Sequence, residues 1–182
     1  GGISQVASAL YNCALLADLP VMERNAHTYC PSFVNPGFDA QVYYGSMDLR
    51  FQNNTEQPIR IEASVENGYV QVRFVGTDSK DYTVEISSEV SATKAPGTDH
   101  VTLSKDNPGN YKNGDVYSNG ITGYDVKIYK QTFDKDTGRD LGKELIAASS
   151  YAKKNKVVVT IAQGQTSTTP NDNPNGIQTD DE

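Results

Sequence analysis

The chain has 182 residues, enough for one medium-sized domain or two small ones. Its formal net charge of −7 argues against a nucleic-acid partner, because nucleic-acid phosphates attract a basic surface. Only 36% of the residues are apolar, and eleven tyrosines without any tryptophan are typical of half-exposed antiparallel sheets.

The first part of the chain is predicted to contain one helix followed by short strands. Apolar residues at helical spacing predict a helix over residues 4–17, which ends before Pro20. The Asn67-Gly68 pair predicts a tight hairpin between strands at 59–65 and 69–75. Shorter alternating runs predict further strands, at 21–24, 40–44 and 48–51.

The second part of the chain is predicted to be rich in strands, at 82–90, 124–133, 144–151 and 156–161. We expect four regions: a domain at 1–76, a connector with short strands at 77–121, a β-hairpin-rich module at 122–162, and a disordered acidic tail at 163–182. The expected fold class is therefore α+β and mostly antiparallel β. It has one N-terminal helix packed on a sheet, followed by a strand-rich second region.

Ser4 follows two glycines and opens the predicted helix. Serine is a favoured residue for capping a helix, so a purely structural cap is the plainest interpretation. The alternative is a nucleophile, with the first N–H groups of the helix as oxyanion donors. A serine hydroxyl needs a general base within hydrogen-bond reach, and His27 is the candidate.

His27 lies in a polar loop with Asn25 and Cys30, and Glu23 and Asp39 are the acidic residues nearby in sequence. A lone histidine is more often a hydrogen-bonded surface residue than a catalyst. His27 and Cys30 could also act as base and nucleophile, but a spacing of three residues in a loop is not a specific signal for such a pair.

Cys13 is expected to be a buried thiol on the apolar face of the helix, and a Cys13–Cys30 disulfide is the less favoured alternative in an exported protein. No metal site is predicted, because the cysteines and histidines lack paired spacing. The acidic run Asp134–Asp140 departs from a calcium loop and indicates a solvated hairpin tip. Asn53-Asn54-Thr55 matches a glycosylation sequon, although an asparagine-rich turn explains it equally.

Five short motifs follow one another over residues 1–76: Gly-Gly-Ile-Ser-Gln-Val at 1–6, Glu-Arg-Asn-Ala-His-Thr at 23–28, Pro-Gly-Phe-Asp-Ala at 36–40, Val-Tyr-Tyr-Gly at 42–45 and Asp-Leu-Arg-Phe-Gln-Asn-Asn-Thr at 48–55. In order and spacing they resemble the VanW domain family of bacterial envelope proteins, which is named for vancomycin-resistance gene clusters. In the second half, the segment at 123–129, the Asp-Thr-Gly hairpin at 136–138 and Ala-Ser-Ser-Tyr at 148–151 more weakly resemble the five-glycine type of cell-surface module. That resemblance implies binding to N-acetylglucosamine-containing wall polymers.

The resemblance implies an L,D-transpeptidase-like acyl transfer on peptidoglycan stem peptides. The catalytic cysteine of active relatives aligns with Ser4, and their histidine aligns with His27. Serine in place of that cysteine replaces a readily ionised thiol by a hydroxyl that stays protonated. Three interpretations remain: a serine-using variant, a site rescued by Cys30, or a non-catalytic relative that still binds wall peptide.

We therefore expect an extracellular, wall-associated protein that engages peptidoglycan or its stem peptides, without a cofactor. Ser4 and His27 would be catalytic, and Gln5, Asn25, Cys30 and Asp39 would contact substrate. The alternatives are a non-catalytic peptidoglycan-binding module and a structural stalk. The chain has no signal peptide and lacks the sequence that usually precedes the two glycines in the family, so we expect a fragment whose membrane anchor, if it has one, lies elsewhere.

Overall fold

A computed structural model of the chain describes residues 2–106 and 109–162. It contains one helix, α1 (Ile3–Leu16), and ten strands. The strands are β1 (Val21–Glu23), β2 (Arg50–Phe51), β3 (Arg60–Glu66), β4 (Tyr69–Val75), β5 (Tyr82–Lys94), β6 (Thr98–Leu103), β7 (Val116–Ser118), β8 (Gly123–Asp134), β9 (Asp140–Tyr151) and β10 (Lys156–Ile161). The expected α+β class is confirmed, and the predicted tail at 163–182 lies outside the described residues.

The strands form four small sheets within the described residues, and most of the pairing is antiparallel. β1 pairs with β2, β3 pairs with β4, and β8 lies between β5 and β9. The exception is β10, which pairs in parallel with β6 and antiparallel with β7. β5 and β6, which fall in the region expected to be a connector, thus pair with strands further along the chain.

Helix α1 packs against β4, β5 and β1. Its apolar face buries Ala7, Tyr11 and Leu15, which cluster with Ala40 and with half-buried apolar side chains from several strands. The helix ends where Asp18 adopts a left-handed conformation with φ of 51°, and Leu19 N–H then donates to Ala14 O at 2.9 Å. Within the described residues, no helix is long and apolar enough to span a membrane.

The predicted Asn67-Gly68 hairpin is present as β3 and β4, and both turn residues have positive φ, 51° and 80°. This geometry is the two-residue turn whose twist matches that of the flanking strands. The predicted strand at 40–44 is wrong: an extended segment runs through Ala40–Val42 without a ladder partner, and a tight loop follows between Tyr43 and Met47. The predicted strand at 48–51 shortens to Arg50–Phe51.

Candidate functional site

Ser4 lies inside the first turn of α1 and does not cap it. The cap residue is Gly2, which makes no side-chain cap hydrogen bond, so the capping interpretation of Ser4 is wrong. Instead, Val42 N–H donates to Ser4 Oγ at 3.3 Å. The Ser4 side chain thereby connects the start of the helix to the extended segment beside it.

Two more polar side chains of α1 bind the same segment. Ala40 N–H donates to Ser8 Oγ at 2.8 Å, and Asn12 Nδ2 donates to Phe38 O at 2.8 Å. Four residues of helix rise about 6 Å, and two residues of extended chain span about 6.6 Å. Because these repeats nearly match, side chains at every fourth helical position meet alternate residues of segment 38–42. We call this set of contacts the helix ladder.

Asp39 projects from this segment into the interior and is completely buried. Its Oδ1 accepts hydrogen bonds from Arg24 Nη2 at 2.8 Å and from the hydroxyl of Tyr151. Its Oδ2 accepts from the backbone N–H of His27 at 2.8 Å and faces the ring Nδ1 of the same residue at 2.6 Å. Both carboxylate oxygens are therefore fully engaged.

The electrostatics of this group keep Asp39 ionised. Burial acts to raise the pKa of Asp39, but hydrogen bonds from Tyr151 and His27, with the positive charge of Arg24, hold the pKa below its ordinary value. Burial and the neighbouring carboxylate raise the pKa of Tyr151 to about 12. The phenol is therefore protonated at neutral pH and donates to Asp39.

Asp39 fixes the orientation of the His27 ring. An ionised carboxylate only accepts, so Nδ1 carries a proton toward Oδ2 and the neutral ring presents an unprotonated Nε2. Within the described residues Nε2 has no hydrogen-bond partner, and the side chain is 19% exposed. A carboxylate on Nδ1 and an open Nε2 are the arrangement of a general base.

Arg24 connects the residues around Asp39, because all three nitrogens of its guanidinium donate hydrogen bonds; we call this group of residues the Asp39 network. Nε donates to Asp39 O at 2.7 Å, Nη1 to Ser149 Oγ at 2.6 Å, and Nη2 also to Gly37 O at 3.2 Å. The guanidinium carbon lies 5.2 Å from the centroid of the Tyr11 ring. Arg24 is not among the site residues predicted from the sequence, and no local pattern indicates these contacts.

The structure brings together His27 and Asp39 but not the predicted nucleophiles. Among the described residues, no hydrogen bond joins His27 to Ser4 or to Cys30. Cys30 Sγ lies 3.7 Å from Pro31 O, and burial together with the charge of Asp39 raises the pKa of its thiol. Cys30 is therefore protonated at neutral pH, which disfavours it as a nucleophile.

Both cysteines are free, and Cys13 Sγ lies 3.3 Å from Val72 O. Asn25 supports the fold near the site: its Nδ2 donates to Asp48 O at 3.2 Å, and its carbonyl accepts from Gln41 N–H at 2.7 Å. No group of three or more His, Cys, Asp or Glu side chains able to hold a metal ion occurs within 2–106 and 109–162.

Gln5 is exposed and lines a cleft of about 380 Å³ beside the helix. This helix cleft is lined by Gln5, Ser8, Ala9, Asn12, Ser32, Phe33, Val34, Gly68, Tyr69 and Val70, none of them charged. The ring of His27 contacts Phe33 edge-on, with 5.9 Å between the ring centroids. The histidine therefore lies beside the wall of this cleft.

The loop containing Ser32 and Val34 also borders a second, more open groove of about 600 Å³. Cys30 lines this groove, and the opposite wall is formed by residues 120–122 and Tyr124. Two recesses thus flank the loop that follows His27, and the chain offers surface for an extended ligand on either side of it.

Comparison with known proteins agrees with the resemblance predicted from the sequence. Residues 1–75 match the family model described as VanW like protein. The Bacillus subtilis (strain 168) protein YoaR is 41% identical over 78 residues, which make up 43% of this chain and 26% of YoaR. The match therefore spans about a quarter of the length of that relative.

Two solved G5-domain structures are similar to part of the chain. The G5 domain of an IgA1 protease has 14% sequence identity and a TM-score of 0.29, covering 47% of this chain and 98% of that one. The G5 domain of HP0197 has 12% identity and a TM-score of 0.23, covering 44% of this chain and 97% of that one.

Proposed function

We propose that this chain is part of an extracellular, cell-wall-associated protein, and that its VanW-like region engages peptidoglycan through the stem peptides. Cell-wall association is what the match to the VanW family favours. The observation that carries the proposed binding site is the Asp39–His27 pair, in which Nδ1 faces the carboxylate and the ring packs against Phe33 of the helix cleft.

The chemistry of this surface suits a peptide ligand. The exposed rings of Phe33 and Tyr69 offer apolar contact, and the Gln5 amide both donates and accepts. His27 Nε2 accepts a hydrogen bond from an amide or ammonium group of the ligand while Nδ1 stays bound to Asp39. Because no charged side chain lines the cleft, affinity would come from shape and hydrogen bonding.

A second candidate function is acyl transfer on the stem peptide, which the Asp39–His27 pair favours because it is the base half of such a site. Ser4 Oγ would attack the peptide carbonyl and pass its proton to His27 Nε2, which would give that proton to the departing amine as the peptide C–N bond breaks. An acceptor amine would then attack the acyl-serine, form the new amide and return a proton through His27 to the Ser4 hydroxyl. Binding is the better-supported function, since Ser4 Oγ accepts from Val42 N–H and makes no hydrogen bond to His27 among the described residues.

Sedimentation with purified wall sacculi tests the proposed binding, using the 182-residue chain, a His27→Ala variant and His100→Ala as the matched control. His100 is exposed on β6. We expect the chain and the control to sediment and His27→Ala to remain largely in solution. Equal sedimentation of all three proteins would place binding elsewhere, and no sedimentation would favour the stalk.

The same incubation separates binding from catalysis. Mass spectrometry of soluble muropeptides would reveal cross-linked or exchanged stem peptides if the chain transfers acyl groups. A serine-based reaction predicts that both Ser4→Ala and His27→Ala abolish these products. Binding without any product identifies a non-catalytic module.

A further inference from the structure

Two residues of β9 reach the Asp39 network from the far part of the chain. Ser149 and Tyr151 are separated by two positions, so they point to the same face of the strand, and both are buried. Ser149 Oγ accepts from Arg24, and the hydroxyl of Tyr151 donates to Asp39 Oδ1. The charged centre beside His27 is thus completed by a strand more than one hundred residues away in sequence.

Tyr151 also holds the loop from which Asp39 projects. Gly37 N–H donates to the Tyr151 hydroxyl at 2.7 Å, so this one oxygen accepts from the loop backbone and donates to the loop carboxylate. The loop is pressed against β8 as well, since a Cβ on Gly37 would lie only 2.9 Å from Ile128 Cγ1. The position of Asp39 is therefore set by β8 and β9 and not by its own loop alone.

We infer that Tyr151 is a positioning residue for His27, acting through Asp39, so that the strand-rich second region is part of the proposed peptide site. Its hydroxyl and Arg24 occupy Oδ1, which leaves Oδ2 directed at Nδ1 of His27. Without the hydroxyl, the carboxylate loses one of its two Oδ1 partners and its hold on the ring weakens. This inference rests on the proposed function, because only a ligand-binding or catalytic His27 needs a fixed orientation.

Nitrogen-15 spectra of the histidine rings test the inference, and the chain is well suited to them because it has only two histidines, His27 and His100. In the unaltered chain we expect the neutral His27 ring to carry its proton on Nδ1, which faces Asp39 Oδ2, and to leave Nε2 unprotonated. In Tyr151→Phe the two signals should move toward each other, since both tautomers become populated. The His100 signals should not move.

The matched control is Tyr82→Phe, which removes a tyrosine hydroxyl that also donates to an aspartate, Asp18, at 2.6 Å but lies outside this network. A merely structural role for Tyr151 would leave the two variants alike, with no movement of the His27 signals in either. That result would overturn the inference.

If Tyr151→Phe does not fold, Ser149→Ala serves as the milder variant, because it removes only the Nη1 partner of Arg24. A smaller movement of the same His27 signals is expected, because Arg24 shares Oδ1 of Asp39 with Tyr151. Unchanged signals would show that β9 does not act on the ring through this network, which would overturn the inference that the second region is part of the site. These spectra need no ligand. Movement of the His27 signals together with failed sacculus binding would therefore refute the proposed function and leave the positioning role of Tyr151 standing.

Discussion

Asp39 is a fully buried carboxylate whose charge is balanced by Arg24, and this makes it costly to replace. Removing one partner of a buried ion pair leaves the other charge uncompensated, at a cost of about 3–5 kcal/mol. We therefore expect Asp39→Asn to lower the free energy of unfolding by this amount in urea denaturation. Glu62→Gln is the control, since Glu62 pairs with Arg60 and Arg73 at the surface and exposed pairs contribute about 0–1 kcal/mol. Similar losses in both variants would contradict the buried network.

Acid should remove the contribution that ionised Asp39 makes to the stability of the folded chain. Burial opposes ionisation, but the hydrogen bonds and Arg24 lower the pKa of Asp39 in the folded state relative to the unfolded state. Its stabilisation is therefore fully present above the unfolded value, about 3.9, and is lost as pH falls through the lower folded value. We therefore expect the difference in free energy of unfolding between the unaltered chain and Asp39→Asn to become smaller below about pH 4. Urea denaturation at several values between pH 7 and pH 2.5 measures this difference. A constant difference would contradict this assignment.

The sequence indicates some residues of the site but not which of them bind one another. His27 and Asp39 stand out because a histidine among polar residues and an aspartate after a Pro-Gly turn are local signals. Asp39 and Tyr151 are 112 positions apart in sequence, and no local pattern predicts that they bind each other. The pattern predicts a helix from residue 4 with Ser4 as its cap, but the helix begins one residue earlier, at Ile3, and its cap is Gly2.

At the scale of elements, the helix ladder replaces a strand pairing. Segment 38–42 alternates like a strand, but three of its backbone groups bind the side chains of Ser4, Ser8 and Asn12. The backbone bond from Gln41 N–H to Asn25 O does not extend into a strand ladder. Alternation of apolar and polar residues indicates an extended chain with one buried side. It does not indicate whether a strand or a helix packs against that side. This is why the predicted strand at 40–44 failed, whereas the β3–β4 hairpin, specified by its own turn, was found.

The ladder predicts that Ser8→Ala costs more than Ser4→Ala. Ser8 is buried, so its loss leaves Ala40 N–H without its partner at a cost of about 1–3 kcal/mol. Ser4 is half-buried and its bond to Val42 is longer, at 3.3 Å, so water replaces it more cheaply. Urea denaturation compares the two variants, and exposed Ser64→Ala on β3 is the control.

Amide hydrogen exchange gives an independent check of the ladder. In Ser8→Ala the amide of Ala40 should exchange faster than in the unaltered chain, because its acceptor has been removed. An equal loss of stability in Ser4→Ala and Ser8→Ala, with unchanged exchange at Ala40, would contradict the ladder.

At the scale of the whole molecule, the loop at Gly37 joins the N-terminal region to the sheet of β5, β8 and β9. Gly37 has φ of 94°, and an added Cβ would meet side chains of Val126 and Ile128 at 3.1 and 2.9 Å. Gly37→Ala therefore combines backbone strain with overpacking. Overpacking alone costs about 1–3 kcal/mol.

Gly45→Ala is the matched control for this substitution. Gly45 has a similar φ of 81°, but an added Cβ there would meet nothing within 4 Å, so only the strain remains. We expect Gly37→Ala to be the more destabilising of the two in thermal unfolding. Equal losses would show that the close contact between the loop and β8 does not exist.

The division into a domain at 1–76 and a module at 122–162 stays a prediction, and the structure adds the contacts that cross it. Arg24, Gly37 and Asp39 on one side meet Ser149 and Tyr151 on the other. Composition and periodicity describe each region by itself, because they carry no information on which buried faces meet. Contacts at this range therefore had to come from the structure.

The proposed binding of peptidoglycan stem peptides at His27 can be tested by titrating a ligand into the chain and recording the nitrogen-15 spectrum of its two histidines. A soluble muropeptide with an intact stem peptide is added to the 182-residue chain. We expect the Nε2 signal of His27 to move in a saturable way while the signals of His100 stay in place. No movement of the His27 signals, or an equal drift of both histidines, would contradict it.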